Sequence, residues 1–229
     1  MTIRLRNPHF ILAAVVLLLC LSQCEPTRQA TQRPDRHWVV LVPGLWDDAS
    51  RFDHLRPVLQ RQGWRTLDFP LNPNNGSASN GELAMQLGRM IEKTVPPGDR
   101  VSIIGFSMGG LVARSYVQDF GGLHRVAQLL MIGTPNQGTE TARLLLMPGV
   151  REMVPGSAWL QRLNHGSFGQ LRQIRYGVIW STTDGVVFPS ASSQIPGAWE
   201  RQLSGVFHAA LSSDPRVHQA AVEFLRSPR

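Results

Sequence analysis

Gly105-Phe106-Ser107-Met108-Gly109 is where this 229-residue chain carries its most pointed chemistry. An apolar run (101–104) precedes it and a helix-patterned run (111–120) follows. A serine between glycines in that setting predicts a sharp strand-to-helix bend. Side chains do not fit at the flanking positions, and the bend pushes the hydroxyl out at the carboxyl end of the strand. The Met108 amide then sits at a helix N-terminus, where partial positive charge favours an oxyanion. The chemistry that follows is acyl transfer through an activated hydroxyl. The alternative is a tight turn with a packing serine.

A serine hydroxyl needs a base, and the base needs an acid to orient it. On this kind of bend the partners come in the chain order Ser, Asp or Glu, His. Of seven histidines, His208 and His218 lie near the C-terminus. His218 falls in a helix-patterned stretch and is expected to face solvent. His208 falls in a loop after a possible strand, and loops at strand ends can reach a nucleophile, so His208 is the expected base. His9, His37, His54, His124 and His165 read as surface or packing residues. The expected acid is Asp184, which follows the apolar run 178–181 in Thr182-Thr183-Asp184-Gly185; a turn aspartate before glycine is its alternative. Asp214 competes, but Asp followed by Pro at a helix start is explained by capping. The second oxyanion donor is expected in Pro43-Gly44-Leu45-Trp46, after the first strand, with the Leu45 N–H as candidate. Trp46 either walls an acyl pocket or belongs to the core.

The elements that position these residues read as strands alternating with helices. Strands are expected at 38–42, 66–69, 101–104, 129–132, 178–181 and 199–203, and helices at 51–62, 82–94, 111–120 and from 214 onward. Trp38 to Val42 (WVVLV) is continuously apolar, the mark of a strand buried on both faces. The class is therefore α/β, a mostly parallel sheet of about six strands with helices on both faces. Residues 138–175 hold only short helical pieces, an excursion suited to a short cap. Within it Leu144, Leu145, Leu146 and Met147 form an apolar run, read either as a lipid-docking, substrate-binding surface or as a helix face in the core.

The N-terminal stretch reads differently. Arg4 and Arg6 precede an unbroken apolar run from Phe10 to Leu21. Twelve residues rise only about 18 Å as a helix, too short for a bilayer core of about 30 Å. Residues 1–24 are therefore expected to be a signal peptide, and secretion or the bacterial cell envelope is the expected location. Leu21-Ser22-Gln23-Cys24 resembles a bacterial lipobox, with Gln23 where that pattern prefers a small residue; ordinary cleavage nearby is the alternative to a lipid on Cys24. Residues 25–36 (EPTRQATQRPDR) read as a polar tether, leaving 37–229 as one domain with its cap.

The net charge of +7 rests almost wholly on arginine, spread without clusters. That pattern argues against a nucleic-acid partner and fits weak attraction to an anionic membrane surface through the N-terminus. Two cysteines exclude a disulfide scaffold and a Cys-built zinc site, and no metal-ligand spacing is visible.

The segments VVLVPGLWDDASRFDHL (39–55), IIGFSMGGLVARSY (103–116), MIGTPNQGTETA (131–142), PGSAWLQRLN (155–164), TTDGVVFPSAS (182–192) and GVFHAALSSDPRV (205–217) resemble the α/β-hydrolase family. The branch is that of small bacterial lipases and esterases, triacylglycerol-lipase-like and GPI-inositol-deacylase-like. The resemblance implies a minimal α/β-hydrolase fold and carboxylic-ester hydrolysis by Ser107, Asp184 and His208. It implies oxyanion donors at Leu45 and Met108, no cofactor, and a small-molecule or lipid ester as substrate. Two positions depart from the pattern: Pro43 stands where the family usually has His, and Asn136 stands where it often has His. An acyltransferase or thioesterase using the same three residues, or a silent binding protein on the same scaffold, are the rival readings. Oligomeric state is not encoded in any of these features.

Overall fold

A computed structural model describes residues 37–227. The expected signal peptide (1–24) and tether (25–36) lie outside the described residues. Six strands form one sheet: β1 (Trp38–Val42), β2 (Arg65–Asp68), β3 (Val101–Phe106), β4 (Val126–Ile132), β5 (Arg175–Ser181) and β6 (Trp199–Leu203). Their order is β2-β1-β3-β4-β5-β6, and every neighbouring pair is parallel. Side chains alternate across a strand, so each apolar run feeds two cores. Val40, Val42, Ile103, Leu129, Met131 and Val178 point to one face. Val39, Leu41, Ile104, Leu130, Ile132 and Ile179 point to the other.

Four longer helices cover those faces: α1 (Leu55–Arg61), α2 (Asn80–Thr94), α3 (Met108–Asp119) and α4 (Pro215–Arg226). Helices α2 and α3 pack on the first face, α1 and α4 on the second. Helix α4 starts as expected, with the Asp214 carboxylate accepting the Arg216 amide at 2.8 Å. Helix α2 starts two residues before its expected position. A capping box sets that start: Ser79 Oγ accepts the Glu82 amide and Glu82 Oε2 accepts the Ser79 amide.

The helix expected over 51–62 is two pieces. A single turn (Ala49–Phe52) is followed by α1 from Leu55. Asp48 caps the first piece by accepting the Ser50 amide at 2.8 Å. Pro57 falls in the first turn of α1, where a missing N–H removes no intrahelical bond. Phe52, Leu55 and Leu59 are all buried, as their spacing predicts.

The excursion over 138–175 does consist of short turns, at Glu140–Leu144, Pro148–Arg151, Ala158–Gln161, Arg162–Gly166 and Phe168–Leu171. Two polar anchors tie it down. Arg114 of α3 is fully buried and donates to Asn136 Oδ1 (3.0 Å), Asn164 Oδ1 (2.8 Å), the Leu163 carbonyl (3.3 Å) and Gln118 Oε1 (3.1 Å). Burial pushes its pKa down to about 9, which leaves the guanidinium charged at neutral pH. Glu152 Oε2 accepts both the amide and the Nδ2 of Asn80, at 2.7 and 2.8 Å, and so fixes the excursion to the start of α2.

Candidate active site

The bend between β3 and α3 is as tight as its glycines predict. A Cβ on Gly105 would lie 2.5 Å from Gly110 Cα, and one on Gly109 would lie 2.3 Å from the carbonyl oxygens of both Val42 and Pro43. Backbone therefore meets backbone on both sides of Ser107. Ser107 itself adopts φ 53° and ψ −125°, a region L-residues enter only when their surroundings hold them there. Its amide is anchored to the Ile132 carbonyl of β4 at 2.9 Å.

His208 arrives from the loop after β6. Its Nε2 lies 3.0 Å from Ser107 Oγ, and its Nδ1 lies 2.8 Å from Asp184 Oδ2. Asp184 comes from the loop after β5 and is buried. Its other oxygen, Oδ1, accepts the amides of Val186 (3.0 Å) and Val187 (2.7 Å). Its backbone carbonyl accepts the His208 amide at 2.8 Å. This division of labour decides the tautomer. A carboxylate oxygen only accepts, so Nδ1 carries the proton, and the Nε2 lone pair is left facing the serine hydroxyl. The line from hydroxyl through imidazole to carboxylate can take a proton from Ser107 and hold the resulting charge. Gly133 makes room for the ring: at φ 55°, a Cβ there would lie 3.2 Å from His208 Nδ1 and Cε1. Phe106 packs beside the imidazole, with ring centroids 4.9 Å apart.

The loop after β1 passes directly against the bend. A Cβ on Gly44 would lie 3.0 Å from Ser107 Cβ. Among the described residues no backbone acceptor engages the amide of Leu45 or of Met108.

Of the expected apolar residues, Trp46 is 60% exposed, so the core alternative for it fails. The run over 144–147 divides. Leu144 and Leu146 stand in solvent, whereas Leu145 and Met147 pack back on the core, Met147 beside Leu45 and Gly76. The run is therefore not a helix face in the core: residues 145–147 lie outside any helix, and only Leu145 and Met147 face inward. His218 corrects the expectation of a solvent-facing ring. It is buried, and its Nε2 sits 2.9 Å from the Ser212 carbonyl. Asn136, at a position where the resembled family often has His, accepts from Arg114 and donates to the Ser193 carbonyl at 2.7 Å.

Val186, Phe188 and Phe207 were not singled out from the sequence, yet they too are exposed large apolar residues. They lie within a few residues of Asp184 and His208, and that adjacency was the available signal. Hydrogen bonds join their loop to the excursion: the Val186 carbonyl accepts from the hydroxyls of Thr139 and Thr141, and the Phe188 carbonyl accepts from the Glu140 amide. Together with Trp46, Leu144 and Leu146 they make six apolar residues, 46% to 82% exposed, on the loops that follow β1, β4, β5 and β6. Those loops leave the same end of the sheet as Ser107.

A lipase from Bacillus licheniformis (BlEst2, mature form) aligns with TM-score 0.70 and 15% identity, over 84% of this chain and 93% of that one. The metagenomic carboxyl esterase MGS0156 aligns with TM-score 0.68 and 15% identity, over 83% and 75%. Phospholipase PlaB from Legionella pneumophila aligns with TM-score 0.67 and 13% identity, over 83% and 58%. At such identities the likeness is one of fold, and the fold is that of the α/β-hydrolases. The family model for palmitoyl protein thioesterase matches residues 39–181. That span takes in the loop after β1, the bend with Ser107 and all of α3, and it ends before Asp184 and His208. With more than half of its length matched, this chain belongs to the palmitoyl protein thioesterase family, among the α/β-hydrolases of lipase, esterase and thioesterase type.

Proposed function

We propose that this chain is a serine hydrolase that cleaves carboxylic esters of lipid or medium-chain acyl groups through an acyl-enzyme on Ser107. The observation that carries the reading is the unbroken line Ser107 Oγ, His208 Nε2, His208 Nδ1, Asp184 Oδ2, with steps of 3.0 and 2.8 Å on either side of the ring. Oγ attacks the acyl carbon as its proton passes to Nε2. The tetrahedral oxyanion is held by the Leu45 and Met108 amides, each worth roughly 3 kcal/mol if similar donors are a guide. Collapse breaks the bond to the leaving alcohol, which takes the proton from Nε2. Water then repeats the sequence at the acyl-enzyme and restores the hydroxyl. Asp184 holds the ring in the working tautomer and balances its charge. No step needs an electron carrier or a metal.

The six exposed apolar residues on loops at the Ser107 end of the sheet support a long acyl chain over a short one, since each leaves apolar area in water that an acyl chain can cover. The family match favours a second reading, in which the scissile bond is a thioester. The same atoms serve both, and only the leaving group differs. Transfer of the acyl group to an alcohol or amine acceptor is a third use of the same intermediate. The N-terminal pattern supports export to a cell envelope, with membrane association through a lipid on Cys24 or through the basic chain.

The deciding experiment uses a fluorophosphonate probe with mass spectrometry. An adduct on Ser107 in the wild type, absent in Ser107→Ala, is the expected result; a folded wild type with no adduct refutes the hydrolase reading. A panel of oxygen and thiol esters matched in acyl length then separates the first two readings. A sharp preference for acetate counts against a lipid substrate.

A further inference from the structure

Arg51 touches the loop after β1, the last residue of β3 and the loop after β6, and the proposed chemistry does not use it. It forms an ion pair with Asp47, in the loop after β1. Its Nη1 donates to the Ala209 carbonyl at 2.9 Å, next to His208. Its guanidinium carbon lies 4.8 Å over the ring of Phe106, the residue before Ser107, and that ring is the one packed against the imidazole. The side chains of the pair are only 22% and 15% exposed, so solvent screens them less than an open surface pair.

Asp47 is tightly joined to the oxyanion loop. Its amide donates to the Gly44 carbonyl at 3.3 Å, and its Oδ2 would lie 3.1 Å from a Cβ on Gly44. The same imagined Cβ lies 3.0 Å from Ser107 Cβ. Between Gly44 and Asp47 the chain passes through Trp46 at φ 60°, a left-handed conformation that a tryptophan keeps only when its neighbours hold it there. One guanidinium thus ties the loop that presents the Leu45 amide to the loop that presents His208, and it sits over the Phe106 ring at the bend between them. A lysine cannot reproduce this, because a single ammonium cannot address two acceptors in fixed directions while stacking on a ring.

We propose that Arg51, acting through Asp47, is a positioning residue that sets the separation between the oxyanion donor and the base. This rests on the reading of Ser107 and His208 given above. The expectation is a loss in kcat with little change in KM, because the pair touches neither acyl chain nor leaving group. A shift of about 1 Å in a positioned group can lower a rate by roughly 100-fold.

The test compares wild type, Arg51→Ala, Arg51→Lys and Asp47→Asn for kcat and KM on a soluble short-chain ester, and for the rate of phosphonate adduct formation on Ser107. Melting curves confirm that each variant is folded at the assay temperature. Arg51→Ala is expected to lose about 10- to 100-fold in kcat and in labelling rate, with KM within about twofold. Arg51→Lys should recover little, and added methylguanidinium should restore part of the loss in Arg51→Ala alone. If Arg51→Ala does not fold, Asp47→Asn carries the same comparison, with a smaller loss in kcat at unchanged KM. A folded variant labelled at the wild-type rate, or a change confined to KM, overturns the proposal while leaving the reading of Ser107 intact. A wild type without any adduct overturns both.

Discussion

Asp184→Asn replaces one oxygen and isolates what that oxygen does. The two carboxylate oxygens have unequal duties. Oδ1 accepts the Val186 and Val187 amides, and Oδ2 faces His208 Nδ1. In the variant the carbonyl oxygen must stay at the first position, because an NH2 there would set donor against two donors. The NH2 is then driven to the second position, where it donates to Nδ1. Nδ1 must become an acceptor, the ring proton moves to Nε2, and Nε2 now donates to Ser107 Oγ instead of accepting from it. The ring keeps its place and loses its function as a base. The same exchange in a serine protease triad lowers kcat by about 10⁴, or about 5.4 kcal/mol at 1.36 per decade, and that size is expected here. Stability should change little, since both backbone bonds survive. Asp184→Ala is the contrast. It strands two amides and a ring nitrogen, at about 1–3 kcal/mol for each buried group left unpaired. The assay is kcat and thermal melting on both variants. More than a tenth of wild-type activity in Asp184→Asn, or equal melting temperatures for Asn and Ala, would refute the tautomer argument.

Three further expectations have separate physical grounds. Gly109→Ala places a methyl 2.3 Å from the Val42 and Pro43 carbonyl oxygens; it should destabilise by about 1–3 kcal/mol or more and, by displacing the chain that leads to Leu45, abolish phosphonate labelling. Leu144→Ser with Leu146→Ser removes two exposed side chains that stand in solvent; melting should be unchanged, while kcat/KM falls for long-chain esters and not for acetate. Burial is the main cause that raises the Glu152 carboxyl above its ordinary pKa, so the folded protein keeps that proton to higher pH than the unfolded chain. Its contribution is therefore full below the ordinary value and lost as pH rises through the raised one. Both Asn80 donors end on a single oxygen, Oε2, which a glutamine carbonyl can replace. Glu152→Gln should accordingly gain in melting temperature relative to wild type as pH rises above the ordinary glutamate value, and a difference that is flat with pH would count against it.

The features that sequence made legible are those fixed by local covalent limits or by chain order. Gly105 and Gly109 announce the bend because no Cβ fits there, whatever the rest of the fold does. Asp184 and His208 follow from the order of loops along a parallel sheet. What stayed hidden depends on tertiary contact. His218 lies beside Val217 on a helix whose period leaves its ring undecided, and the Ser212 carbonyl decides it. The apolar run over 144–147 has no helical period to exploit once it is not a helix, so its alternation appears only in place. Val186, Phe188 and Phe207 are single apolar residues in polar loops, and they come to one end of the sheet only because its parallel strands deliver successive loops there. Arg51 meets Ala209 across 158 positions, a separation that no local pattern encodes.

These contacts also separate two kinds of sensitivity around one hydroxyl. Close to Ser107 the spacing is set by backbone and by absent side chains: Gly44 against the serine, Gly109 against the end of β1, Gly133 beneath the imidazole. Added volume at any of them must move a strand end or a loop, so such changes act on rate and stability together. Farther out, the side chains of Leu144 and Leu146 are largely free in solvent, and nothing beneath them needs to shift when they change. On the proposed reading, substitution there acts on which acyl chain is covered and leaves the hydrogen-bonded line intact. Arg51 and Asp47 lie between these zones. They are shielded enough to hold geometry, and they reach the bend through the loop after β1 and through the ring of Phe106. Their loss should therefore show as a slower enzyme of nearly unchanged affinity, an effect that neither the glycines nor the apolar residues would produce.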